Sequence, residues 1–289
     1  MSVVRPKACV KRGVAWSGTL ALALMLSACA GLDPGGRRAE LPAVPTAAPR
    51  TTGGDTPQAS EHKRLVALFG GEYRFAAAEI YLNGILVRLA QSSETPSEAY
   101  RVTILNTPLV NAFALPSGNL YVTRGMLALA NDSSELAAVM AHEIAHITAG
   151  HATQRAEAEK DQQLIRKVTD VLQKDKAGEA EARGVASLAS FSRQQEFDAD
   201  QIGVKTIARA GYDPFGAARF LTSLSRSASL RASLFNQRVP GKEITSSHPS
   251  TPERIARATA AARAISGPGL GEAQRSDYLA AIDGIDFGD

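Results

Sequence analysis

Asn131-Asp132-Ser133-Ser134-Glu135-Leu136-Ala137-Ala138-Val139-Met140-Ala141-His142-Glu143-Ile144-Ala145-His146 is the stretch from which both fold and chemistry can be read. Asp132 followed three residues later by Glu135 has capping-box spacing, which marks a helix start. The Ala- and Leu-rich run after it favours helix, and its apolar spacing reads as amphipathic. His142 and His146 are four apart, so on a helix they share one face, a turn apart, and can reach one ion. Glu143 lies about 100° round the axis, able to reach a water on that ion.

This spacing suits a metal that makes water nucleophilic while the glutamate takes its proton. A catalytic zinc takes three protein ligands and a water, so a third ligand must come from elsewhere. Ser192-Arg193-Gln194-Gln195-Glu196-Phe197-Asp198-Ala199-Asp200 offers one. Glu196 and Asp200 share a face of a second helix, so Glu196 can complete the site while Asp200 hydrogen-bonds a ligating imidazole and fixes its tautomer. Asp198 points away and reads as solvated. His151, five residues after His146, falls on a different helical face and reads as non-ligating, and His62 reads as solvated. The two-histidine, one-glutamate set favours one Zn2+ per chain over other divalent metals.

Outward from this centre, the N-terminal residues read as an address. Arg5, Lys7, Lys11 and Arg12 precede an apolar run from Val14 to Leu26, too short to span a bilayer and of signal-peptide length. The run ends Leu26-Ser27-Ala28-Cys29, which resembles a bacterial lipobox and implies a 1–28 lipoprotein signal peptide with lipidation at Cys29. Ala30 after the cysteine implies export to the outer membrane. Residues 29–60, rich in Pro, Gly, Ala and Thr, read as a flexible tether, and 61–289 as the catalytic domain.

Composition excludes other classes. The first 28 residues hold four cations and no acid, so removing them from a net charge of +3 leaves −1. That argues against nucleic acid as a partner. Two cysteines rule out a disulfide framework and a four-thiolate structural zinc site. The body holds no apolar run of about 18 residues, so contact with a membrane would come through the lipid anchor alone.

Within the body, Leu65, Leu68, Phe69, Phe75, Ile80, Leu82, Ile85, Leu86 and Leu89 recur at helical spacing, with a break at Gly70-Gly71. Tyr100 to Leu105 alternates as a strand. Asn111 to Leu115 is a second short strand, leading through the turn Pro116-Ser117-Gly118-Asn119 into a third at Leu120 to Val122. Helices follow. The expected class is α+β, mainly helical, with a small antiparallel sheet. The charged, Ala-rich stretch 156–190 reads either as a helix pair or as a lid.

His142-Glu143-Ile144-Ala145-His146, Glu196-Phe197-Asp198-Ala199-Asp200 and Ser247-His248-Pro249 with Arg254 together resemble the HtpX-type zinc metallopeptidases, over roughly residues 65–265. Asn111 to Gly118 resembles their loop as well, with Ser117 where a glycine is frequent. The resemblance is to a soluble periplasmic lipoprotein branch, without the transmembrane helices or helical repeats of other members. It implies a zincin-like domain with His142, His146 and Glu196 as zinc ligands, Glu143 as general base and Asp200 behind the histidines. His248 would be a fourth ligand plugging the open position or a donor to the oxyanion; read without the family, Ser-His-Pro is a turn, with Thr251 capping and Pro252 opening the next helix. Arg254 would bind the oxyanion or a substrate carbonyl, or form a surface salt bridge. The implied activity is endoproteolysis of unfolded or misassembled envelope polypeptides, with the outer-membrane assembly machinery as a possible partner. The alternative is an assembly factor or chaperone that uses the same cleft with little proteolysis.

Overall fold

The computed structural model describes residues 56–95, 100–172, 177–235, 244–267 and 274–287, with the side chains of 165–191, 235 and 246 outside the description. The expected signal peptide, Cys29 and the tether up to residue 55 lie outside the described residues. Helix α1 (Pro57–Leu68) opens inside the expected tether, because the Thr56 hydroxyl accepts from the Ala59 amide and Pro57 stands at the first helical position. The described fold therefore starts about one helical turn before residue 61.

After α1 the chain turns through Gly70-Gly71 and re-enters helix at α2 (Ala76–Ser92), as the break in the pattern predicts. α2 buries Leu82, Ile85, Leu86 and Leu89. Leu68 and Ile80, counted in the same periodic set, are exposed instead. A helical period does not carry across a break, so each helix has its own buried face.

Strands β1 (Arg101–Leu105), β2 (Ala112–Ala114) and β3 (Asn119–Thr123) form one sheet in the order β1-β3-β2. β2 and β3 are an antiparallel hairpin closed by the expected turn, where Gly118 takes φ +83°. β1 pairs with β3 in parallel, so the sheet is mixed rather than wholly antiparallel. The 106–111 connection carries the chain past β3 to the far edge, and the hairpin then returns β3 alongside β1. β2 is left at the edge of the sheet. Its Phe113 stacks on Tyr121, with ring centroids 4.8 Å apart.

After α3 (Arg124–Leu129) comes α4 (Ser133–Thr148), the centre of the molecule. The Asp132 carboxylate accepts from the Glu135 amide at 2.9 Å, and Glu135 in return accepts from the Asn131 amide at 3.0 Å. The reciprocal half of the cap thus reaches one residue further back than a standard capping box. Ser133 to Ala145 are all buried, so α4 is covered on every side rather than amphipathic. Arg219 makes its burial at the N-terminus tolerable, standing 3.0 Å from Asp132 and 3.6 Å from Glu135.

α5 (His151–Leu172) and α6 (Ala177–Arg209) follow, so the described backbone of 156–190 is helical on both sides of 173–176. α6 packs against α4 at Gly203, where a Cβ would stand 3.4 Å from the His142 amide nitrogen, an ordinary contact. α7 (Gly216–Phe235), the short α8 (Ile244–Ser247), α9 (Pro252–Ile265) and α10 (Arg275–Ile282) complete the described chain. Val204, Ala218, Leu221, Ala258 and Ala262 join α6, α7 and α9 in a second small core. No helix among the described residues is long and apolar enough to cross a membrane.

Candidate metal centre

Three elements converge. α4 supplies His142, Glu143 and His146, α6 supplies Glu196 and Asp200, and the turn after α8 supplies His248, whose amide donates to the Ile244 carbonyl at 2.7 Å. One atom each from His142, His146, Glu196 and His248 lies within 4.8 Å of the others, a grouping able to hold a metal ion. His142 Nε2 is 3.1 Å from His146 Nε2 and 3.2 Å from His248 Nδ1. The Glu196 oxygens stand 3.0 Å from His248 Nδ1 and 3.4 Å from each of the other two imidazoles. Tetrahedral ligands at zinc–nitrogen bond lengths of 2.0–2.1 Å are separated by about 3.3 Å, so these spacings and this donor set fit the metal.

Electrostatics agree with the geometry. Burial pushes His146 down to about 3, so its ring is neutral and has a lone pair to give. Burial works the same way on His142, but the Asp200 and Glu196 carboxylates outweigh it and pull that ring up to about 9. Burial would raise Glu196, yet contacts from His142, His146 and His248 hold it far below the usual carboxylate range. Glu143 has only weaker help against burial and is raised. Its Oε1 is buried with no hydrogen-bond partner among the described residues and lies 3.8 Å from His248 Nε2.

Asp200 approaches His142 Nδ1 obliquely at 3.0 Å and takes both prongs of Arg254, each at 2.7 Å. Arg254 is 4% exposed, contacts Glu196 at 3.0 Å, and donates to the Pro249 carbonyl beside His248. This corrects the surface reading of Arg254: it is a buried cation whose donors engage Asp200, Glu196 and Pro249, and it also borders the cleft beside the centre. A guanidinium is needed there because two carboxylates are buried side by side. The Thr251 cap and Pro252 stand as the sequence predicts, with the Thr251 hydroxyl accepting from the Arg254 amide.

His62 is only partly solvated: its Nδ1 lies 2.8 Å from the Tyr121 hydroxyl and its Nε2 3.4 Å from Glu72. His151 stays outside the ligand group but lies against His146, with the two Nδ1 atoms 2.9 Å apart. Helical phase alone missed this contact. The available signal was Gly150, directly before His151, which breaks the helix and voids the phase.

A small, mainly apolar cleft, partly open to solvent, adjoins the centre. Val139, Phe220, Leu221, Leu224 and Ile244 form its walls, and Glu143 and His248 border it.

A buried glutamate beside a histidine–histidine–glutamate group on a helical scaffold defines a metallopeptidase centre. Residues 76–262 match the model of peptidase family M48, and the chain belongs to that family. It is 31% identical over 192 residues to the beta-barrel assembly-enhancing protease of Escherichia coli (strain K12), covering 62% of this chain and 37% of that protein. It is 28% identical over 183 residues to the mitochondrial metalloendopeptidase OMA1 of Schizosaccharomyces pombe, covering 61% of this chain and 50% of that protein. Against OMA1 of Arabidopsis thaliana it is 32% identical over 126 residues, 43% of this chain and 26% of that protein. The chain thus spans half or less of the length of each of these relatives.

Proposed function

We propose that the chain is a zinc-dependent endopeptidase of the bacterial envelope that hydrolyses unfolded or misassembled polypeptides. The observation that carries this is the convergence of four ligand atoms within 4.8 Å beside a buried, partnerless glutamate oxygen. His142, His146 and Glu196 hold the metal, and His248 occupies or guards the remaining position. A zinc ion bound there supplies a Lewis acid that polarises the scissile carbonyl and acidifies water. Glu143 acts as general base, accepting the proton at its carboxylate and passing it to the leaving amine. Asp200 fixes the His142 tautomer, and Arg254 positions Asp200, Glu196 and the loop bearing His248.

The adjoining cavity suits an apolar side chain next to the cut bond. β2, at the edge of its sheet, gives an extended peptide a strand to pair with, which favours chains whose backbone is free. Lipidation at Cys29 would hold the domain at the membrane surface, facing the periplasm. The similarity to the Escherichia coli beta-barrel assembly-enhancing protease supports a link to β-barrel assembly. It also keeps the second reading alive, an assembly factor that holds polypeptides in the same cleft.

Zinc content and casein cleavage of wild type, Glu143→Gln and His248→Ala test the proposal together. The protease reading predicts one zinc per chain and cleavage by wild type, with Glu143→Gln keeping its zinc and losing at least about 100-fold in rate. Cleavage only after His248→Ala identifies His248 as a plug and the enzyme as latent. One zinc with no cleavage by any form would sink the protease reading in favour of the assembly factor.

A further inference from the structure

His151 is 4% exposed, and the chemistry proposed for the centre gives it no part. In an unbroken helix it would lie about 140° round the axis from His146. The chain instead ends α4 at Thr148, caps it with Ala149 and passes through Gly150 at φ +65°, a conformation that L side chains avoid. α5 then restarts at His151 with its ring under His146. The rings meet edge to face, with centroids 4.8 Å apart and Nδ1 atoms 2.9 Å apart.

Chemistry assigns the single proton shared by those two nitrogens. His146 turns Nε2 towards His142 and Glu196, so Nδ1 is on the far side of its ring from the ligand group. An imidazole that gives its Nε2 lone pair to a cation carries its proton on Nδ1. His146 is then the donor and His151 the acceptor, with the proton of His151 on its own Nε2. The backbone of His151 is pinned as well: Gln195, the residue before Glu196, donates to the His151 carbonyl at 3.2 Å, and Arg155 donates to Gln195 Oε1 at 3.3 Å.

We infer that His151 is a positioning residue for the metal, accepting the Nδ1 proton of His146 and holding that ring with its lone pair towards His142 and Glu196. The inference rests on the zinc reading above. It makes the two α4 ligands unlike: His142 is backed by the carboxylate of Asp200, His146 by a neutral ring. Partners of this kind are worth about 10–100-fold in metal affinity.

The test is the zinc dissociation constant of the full chain, measured by chelator competition, for wild type, His151→Phe and His151→Asn. Phenylalanine keeps the ring volume and removes the acceptor, whereas asparagine Oδ1 stands near the position of Nδ1 and restores it. His151→Phe should bind zinc about 10–100-fold more weakly, and His151→Asn should recover most of that loss. Nitrogen-15 spectra of the zinc-loaded wild type should show His146 protonated at Nδ1 and His151 unprotonated there, a readout that does not require any variant to fold. Equal affinity in wild type and His151→Phe, no recovery in His151→Asn, or a proton on His151 Nδ1 each overturns the inference. A wild type that binds no zinc overturns the zinc reading itself, which separates the two failures.

Discussion

Replacing Arg254 by Met tests what holds α6, α9 and the His248 loop together. Arg254 makes two 2.7 Å contacts with Asp200 and one of 3.0 Å with Glu196, and all three side chains are buried. Methionine fills much of the same volume but leaves two carboxylates side by side with only imidazoles to balance them. Breaking a buried ion pair from one side costs about 3–5 kcal/mol. With an m-value of about 2–3 kcal/mol per molar urea, the midpoint of the metal-free protein should fall by roughly 1 to 2.5 M. Saturating zinc should narrow the gap, because a cation beside Glu196 replaces part of the lost charge. Replacing both partners, Asp200→Leu with Arg254→Met, should lie closer to wild type than Arg254→Met alone, since no uncompensated charge then remains beyond Glu196. A midpoint loss equivalent to less than about 1 kcal/mol for Arg254→Met would refute this account of the network.

Three further outcomes follow from the same geometry. With His142 raised to about 9 in the metal-free state, zinc binding must expel a proton at neutral pH, so zinc affinity should rise about tenfold per pH unit from 7 towards 9 in chelator titrations. A pH-independent affinity would show that His142 is neutral before the metal arrives. Burial raises Glu143 in the metal-free chain while a bound cation would oppose that rise, and a base works only when ionised, so kcat/KM should fall on acidification as Glu143 takes a proton, and Glu143→Gln should abolish the activity that reports it. Gly150→Ala places a Cβ in open space but at φ +65°, so it should cost about 1 kcal/mol in thermal unfolding and weaken zinc binding through His151.

Much of the centre was legible from local spacing. His142, Glu143 and His146 are set by the 3.6-residue period of one helix, and Glu196 with Asp200 by that of another, because within a helix separation along the chain fixes direction. The break at Gly70-Gly71, the turn at Pro116 to Gly118 and the Thr251 cap were readable for the same local reason. Other features required the assembled molecule. The sequence patterns of β1 and β3 fit parallel and antiparallel pairing alike, and only the route of the 106–111 connection decides between them. Full burial of α4 depends on what packs against its far side. Arg254 looks like any arginine in the first turn of a helix until two carboxylates from α6 arrive beside it. His151 was misplaced because helical phase holds only while the helix is unbroken, and Gly150 resets it. By itself the sequence determined which residues share a helical face. Which faces meet, and so how His248, Arg254 and His151 serve the centre, was decided by packing between elements far apart in the chain.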